Sequence, residues 1–322
     1  MWDGPFPTLA DVFRARQRIA PYLVPTPAVA PGALRRRVGL DIHLKLENLQ
    51  PIGAFKVRGG INLMAAEGEA LADKTVYAAS TGNHGQSVAY AAHAFGRPAV
   101  IYAPARANPL KVESMQALGA EVVLVGRDFD EAREACEEAA AANRGRYVHS
   151  MNEPLLIAGV GTLYLEALET IPDLDVVIVP VGGGSGVSAA GLVAKSINPH
   201  IRVVGVQAEG APAFARSFGS GRLESTETMT TAAEGLATRT AFALPLAMAQ
   251  RFVDDIVLVS DQEMHEAMRI TLETAHVVAE MAGAAALAAA AKLRDELAGA
   301  RILAVVSGGN ATLEQIGTLF QP

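Results

Sequence analysis

Cysteine is almost missing from this chain: Cys136 is the only one in 322 residues. A lone thiol excludes an intramolecular disulfide and a cysteine-based zinc site, and it fits a reducing compartment. Cys136 falls in the acidic, alanine-rich run 131–142, which reads as an amphipathic helix where nothing would lower its pKa, so it reads as a structural thiol. Charge is sparse as well. Lys and Arg number 27 against 34 Asp and Glu, a net charge of −7, and no basic run is long enough to follow a nucleic-acid backbone. Long apolar runs are lacking. The stretch Ala282 to Ala291 is too short to span a bilayer, and Lys292 and Arg294 follow it at once, so it reads as a buried helix. The start, Met1-Trp2-Asp3-Gly4-Pro5, shows no basic region leading into an apolar one, so no secretion signal is expected. No repeat of fixed period and no low-complexity linker interrupts the chain, and no regulatory domain is expected after the last helix. These absences leave a cytoplasmic protein that handles small molecules, without nucleic-acid or membrane partners.

What is present is rhythm. Half of the chain is apolar, and short β-rich runs alternate with longer alanine- and leucine-rich stretches. That alternation predicts an α/β fold, a mostly parallel sheet covered by helices. The clearest strands are 42–46, 75–79, 99–102, 121–125, 176–181, 203–207, 256–259 and 302–306. The run from Thr75 to about Val148 reads as a self-contained βαβαβα unit. A small domain, 75–148, is therefore expected as an insertion in a larger one formed by 1–74 and 149–322.

One lysine stands out. Pro51-Ile52-Gly53-Ala54-Phe55-Lys56-Val57-Arg58-Gly59-Gly60 sets Lys56 among apolar groups and glycines. A desolvated lysine has a depressed pKa, and its neutral amine can form a Schiff base with an aldehyde. The same stretch also reads as a solvated lysine at the start of a helix.

Three glycine-rich turns bear on that choice. Ser80-Thr81-Gly82-Asn83-His84 follows a strand and precedes a helix expected over 88–95. Free N–H groups at a helix start, beside hydroxyls and an amide, suit a carboxylate, more than capping requires. His84 there reads equally well as a satisfied, buried histidine. Gly182-Gly183-Gly184-Ser185-Gly186 closes a second strand ahead of a helix expected from Ser188. Its glycines let backbone N–H groups approach a phosphate, although it lacks the Gly-Lys-Ser/Thr ending of a nucleoside triphosphate loop. Ser307-Gly308-Gly309-Asn310 ends the last strand, where Ser307 would face the crevice, or Asn310 would cap a following helix.

An activatable lysine, an anion-binding turn, a phosphate cradle and a crevice serine together describe a pyridoxal phosphate site. The chain resembles the fold-type II pyridoxal-phosphate enzymes of the serine/threonine dehydratase and serine racemase group. The likeness runs from Arg18-Ile19-Ala20-Pro21 to Ser307-Gly308-Gly309-Asn310, through Lys45-Leu46-Glu47-Asn48-Leu49-Gln50 and Phe55-Lys56-Val57-Arg58-Gly59. It implies a tryptophan synthase β-like fold with two open, twisted, mostly parallel sheets flanked by helices. It also implies Lys56 as the cofactor lysine and general base, with Phe55 packed on the cofactor ring. Asn83 would meet the ring's 3′-oxygen, Gly182, Gly183, Gly184, Ser185 and Gly186 the phosphate, and Ser307 the pyridine nitrogen. Ser80, Thr81, Gly82, Asn83 and His84 would line the substrate carboxylate site. Gly235 and Glu280 would sit close to the cofactor. The implied reaction is loss of water and then ammonia from threonine, serine or a related β-hydroxy amino acid, giving a 2-oxo acid. A homodimer or homotetramer is implied too.

Departures from the group's pattern concern the substrate. Ala54 replaces a usual serine, which would remove a hydroxyl from the pocket edge. Thr81 stands where racemases carry an acid/base serine, so weak racemase activity is open. Gln207 and Ala213 occupy the carboxylate positions of a divalent-cation site seen in some relatives, so no metal is expected. The alternatives are a racemase, a dehydratase of a bulkier substrate such as phenylserine or 3-hydroxyaspartate, and a β-replacement synthase.

Overall fold

The computed structural model describes residues 2–320. Helix α1 (Leu9–Ile19), strand β1 (Ala28–Val29), α2 (Gly32–Val38) and β2 (Asp41–Leu46) lead to α3 (Val57–Glu67). Strict alternation follows: β3 (Val76–Ala79), α4 (Asn83–Ala94), β4 (Ala99–Ala103), α5 (Pro109–Ala117), β5 (Glu121–Leu124), α6 (Phe129–Ala142) and β6 (Arg146–Tyr147). The chain continues through α7 (Pro154–Thr170), β7 (Val176–Pro180), α8 (Ser185–Ile197), β8 (Arg202–Ala208), α9 (Ala213–Ser220) and α10 (Ala243–Phe252). It closes with β9 (Asp255–Val259), α11 (Asp261–Ala275), α12 (Met281–Lys292), β10 (Arg301–Val306) and α13 (Leu313–Gly317).

The strands form two sheets. The larger has the order β1-β2-β10-β7-β8-β9 and is parallel apart from the edge strand β1. The smaller has the order β5-β4-β3-β6 and is wholly parallel. Every residue of β7 is buried, as a strand covered by helices on both faces requires. All eight expected strands form. The two strands that sequence reading missed, β1 and β6, have only two residues each, too few for any periodicity to register.

Apolar packing fills both faces of the large sheet. Ala284 to Ala290 of α12 pack with Leu44, Ile178, Val206 and Ala304 on one side. Tyr164 and Leu165 of α7 pack with Val177, Val203 and Leu303 on the other. The small sheet's core takes in Val76, Ala78 and Ile101. It also draws on residues outside 75–148, among them Ala15 of α1, Ile61 and Leu63 of α3, and Leu156 of α7.

Two features place the functional residues. First, β2 and β10 pair in register from Asp41↔Arg301 to Leu46↔Val306, although they lie at opposite ends of the chain. The segments that leave them are therefore neighbours, and Ala54 bridges Gly308 while the Phe55 N–H donates to the Ser307 carbonyl at 3.0 Å. Second, a buried ionic cluster anchors α3. The Arg58 guanidinium donates to both carboxylate oxygens of Glu47 (2.7 and 2.8 Å), to both of Glu166 (2.6 and 2.8 Å) and to Thr162 Oγ1 (3.0 Å). These contacts use all five of its N–H groups. Lys45 Nζ completes the cluster, donating to Glu166 at 2.6 Å and to the Thr26 carbonyl at 2.6 Å. A buried arginine with every donor matched fixes its helix, here two residues from Lys56.

Candidate active site

Lys56 immediately precedes α3 and is not a solvated helix-start lysine. It lines a cavity of about 450 Å³ between the two sheets, together with the glycine turns. Burial alone pushes its ammonium down from 10.5 to about 8. Its Nζ donates to Ser185 Oγ at 2.9 Å. Its carbonyl accepts from Ser87 Oγ of α4 at 2.6 Å, which ties the lysine backbone to the opposite wall. Phe55 lines the same cavity, with Lys56 Nζ 5.4 Å from the centre of its ring.

Residues 182–186 lie at the mouth of α8, which begins at Ser185, three residues earlier than the sequence implied. Its first N–H groups have no intrahelical acceptor and point into the cavity end of the helix. The glycines are there for space. A Cβ on Gly182 would stand 2.4 Å from the Gly235 carbonyl oxygen, and one on Gly183 would stand 2.1 Å from Met151 Sδ. Gly184 has φ +97° and would put a Cβ 2.4 Å from the Phe214 ring. Gly235 thus lies against the turn through its backbone, and Thr238 Oγ1 donates to the Gly182 carbonyl at 3.2 Å.

The third wall is the turn 80–84. Helix α4 begins at Asn83, five residues before the expected 88, so Asn83 and His84 belong to its first turn. No side chain caps it. Ser80 Oγ instead braces the loop, accepting from the Gly82 N–H at 3.0 Å. The Asn83 amide is fixed from both sides: Nδ2 donates to Glu280 Oε1 at 2.8 Å, and Oδ1 accepts from Asn310 Nδ2 at 2.8 Å. One N–H of Asn83 Nδ2 remains free for a ligand. Burial raises the Glu280 carboxyl above its usual range, against the opposing pull of Lys111 and of the Asn83 hydrogen bond. Asn310 caps no helix, because α13 starts at Leu313 with Thr312 as its cap. Its amide also holds the Ile52 carbonyl at 2.9 Å.

Of the residues singled out in the sequence, Phe55, Lys56, Ser80, Thr81, Gly82, Asn83, His84, Gly182, Gly183, Gly184, Ser185, Gly186, Gly235, Glu280 and Ser307 all line this one cavity. His84 is buried with Nε2 3.2 Å from the Val148 carbonyl, and burial pushes it down to about 3, so it is a neutral imidazole. Ala54 does not lie at the pocket edge. It is fully buried against Gly308 and leaves the cavity lining unchanged. Gln207 is fully buried, and its Oε1 accepts from the Ala215 N–H of α9 at 2.9 Å. Sequence reading missed Lys111 and Arg239. Lys111 of α5 pairs with Glu234, and Arg239 pairs with Asp128 at 3.1 Å and Asp130 at 2.7 Å, so both pairs join the two sheets' connections at the cavity mouth. Their partners are over a hundred positions away in the chain, beyond the reach of any local motif.

The sequence profile of the family described as "Pyridoxal-phosphate dependent enzyme" matches residues 19–308. This chain belongs to that family. Among curated relatives of these pyridoxal-phosphate enzymes, an L-threonine ammonia-lyase of Thermotoga maritima is 40% identical over 97% of this chain and 78% of its own length. An L-threo-3-hydroxyaspartate ammonia-lyase of Saccharomyces cerevisiae is 34% identical over 98% of this chain and 96% of its own. The structure of maize serine racemase superposes with a TM-score of 0.91 at 32% identity, covering 98% of this chain and 97% of that one. The fold is that of the fold-type II pyridoxal-phosphate enzymes, and pyridoxal phosphate is the cofactor.

The residues present fit that cofactor. A buried amine close to neutrality can take its aldehyde. A turn on which a Cβ at 182, 183 or 184 would collide leaves the α8 N–H groups open to its phosphate. Among the described residues, no helix is long and apolar enough to cross a membrane.

Proposed function

We propose that this pyridoxal-phosphate lyase is an ammonia-lyase that converts L-threonine or L-serine to a 2-oxo acid and ammonia by α,β-elimination. The observation that carries the reading is Lys56: a buried amine held near neutrality, 2.9 Å from Ser185, in a cavity that also presents an anion-binding turn. The ammonia-lyase relatives supply the substrate class. Bound pyridoxal phosphate supplies an aldehyde for the lysine or the substrate amine, and a ring that takes up electrons from the broken Cα–H bond. The rest falls to the chain's own groups. Lys56 would hold the cofactor and, once displaced by the substrate amine, accept the α-proton at Nζ. The α8 N-terminus with Gly182 to Gly186 would hold the phosphate. Asn83, kept in place by Glu280 and Asn310, would donate to the ring oxygen. Ser80, Thr81 and the first N–H groups of α4 would receive the substrate carboxylate. At the pyridine nitrogen Ser307 would offer a hydroxyl, which cannot keep that nitrogen protonated as a carboxylate would. A weaker electron sink favours elimination over transamination.

A racemase reading has one observation in its favour: the Thr81 hydroxyl lines the cavity where an acid/base group could stand. The single cysteine suits a cytoplasmic setting, and a homodimer or homotetramer is the assembly we propose. The holoenzyme should be assayed with L-threonine, L-serine, threo-3-hydroxyaspartate and phenylserine for 2-oxo acid, ammonia and D-isomer. The expected result is equimolar 2-oxo acid and ammonia, fastest from threonine or serine. D-isomer without 2-oxo acid, or product only when sulfide is added, would replace this reading with racemase or synthase.

A further inference from the structure

Lys111 is unusual in where it is placed. It comes from α5, beside the small sheet, and its side chain lies across the substrate turn. A Cβ added to Gly82 would stand 3.2 Å from Lys111 Cδ and 3.4 Å from its Nζ. The side chain therefore lies beside Gly82, at the point where α4 begins. Its side chain is 11% exposed, while its counter-ion Glu234 is 44% exposed and comes from the connection between α9 and α10. An ion pair with one half-exposed partner contributes little to folding. Its charge nevertheless acts inside the cavity, because Lys111 opposes the rise of the buried Glu280 carboxyl. Of the cavity's other cations, Arg106 is exposed at the mouth, and the rest are committed elsewhere. Arg239 is held by Asp128 and Asp130, Arg127 by Glu131, and Lys56 by the Schiff-base chemistry.

We propose that Lys111 is a positioning residue for the substrate carboxylate, and that Glu234 is the resident anion which that carboxylate displaces from it. The inference rests on the reading that the 80–84 turn receives the carboxylate. It adds that the turn's N–H groups work with a cation from α5 of the same sheet, and that Glu234, from the large sheet's connections, sets how readily the cation is released. An ion pair that only fastened the two walls together would lose the same function from either end. An exchangeable pair gives opposite effects, because removing the cation weakens the carboxylate whereas removing its competitor strengthens it.

Three measurements on the holoenzyme test this. Lys111→Met is expected to raise KM for L-threonine by at least about ten-fold with a much smaller change in kcat, since the contact is made in the ground state as well as the transition state. Glu234→Gln is expected to lower KM. Calorimetric titration with L-lactate, a carboxylate with no amine to react, is expected to show weaker binding to Lys111→Met and tighter binding to Glu234→Gln. Lys111→Arg should retain most of the affinity. KM shifts in the same direction for Lys111→Met and Glu234→Gln, or L-lactate affinities equal to wild type, would overturn the proposal. Cofactor absorbance equal to wild type controls for folding, and if Lys111→Met fails it, the sign of the Glu234→Gln effect still decides. A wild type that binds L-lactate but releases no 2-oxo acid would sink the lyase reading and leave this one standing.

Discussion

Burial without a carboxylate partner separates Lys56 from the other lysines, since Lys45, buried too, is paired with Glu166. A solvated lysine is almost wholly protonated at neutral pH, with an ordinary value near 10.5, whereas desolvation brings this one to about 8. The amine must be neutral to attack the cofactor aldehyde. The rate at which apoprotein captures pyridoxal phosphate should therefore climb through a midpoint near pH 8 and level off above it, as followed by stopped-flow absorbance. A midpoint near 10.5 would mean that the lysine is solvated. The same shift makes stability depend on pH. The folded value lies below the unfolded one, so between about 8 and 10.5 the unfolded chain binds more protons, and the apoprotein gains stability as pH rises through that window. At this scale the sequence was legible where a residue's neighbours in the chain are its neighbours in space. Lys56, Asn83 and the 182–186 run announce themselves through flanking glycines and polar groups. Lys111 does not, because Gly82 and Glu234, which give it meaning, are brought to it by folding.

At the scale of elements, the helix starts show where sequence reading went astray. Both α4 and α8 begin inside stretches that read as loops, since serine, asparagine and glycine are weak helix formers. Each helix starts early because tertiary contacts hold its start: the Asn83 amide bonds Glu280 and Asn310, and Gly184, just ahead of α8, sits at φ +97° under Phe214 and Pro245. Gly184 is where the phosphate cradle is most sensitive. Alanine there meets the left-handed backbone penalty of about 1–2 kcal/mol and a collision with Phe214 as well. Gly184→Ala should weaken pyridoxal phosphate binding by at least about ten-fold in an equilibrium titration, an effect of about 1.4 kcal/mol or more. An unchanged affinity would mean that the phosphate is held elsewhere. The strands were the most legible elements, because those buried on both faces read as continuous apolar runs.

For the molecule as a whole, the decisive event is the pairing of β2 with β10, which brings the lysine segment and the Ser307 turn together from opposite chain ends. Strand rhythm predicted both strands but could not predict that they adjoin. Nor could it show that the small sheet shares its core with α1, α3 and α7. The division at 75 and 148 stays a proposal, since that core runs across both positions. All of this geometry converges on one amine, and the most direct measurement asks which lysine carries the cofactor. Holoenzyme would be reduced with borohydride, digested and mapped by mass spectrometry. The pyridoxyl mass should fall on the peptide containing Lys56 and disappear in Lys56→Ala. Its appearance on Lys111 or Lys45 instead, or stoichiometric labelling that survives Lys56→Ala, would contradict the site described above.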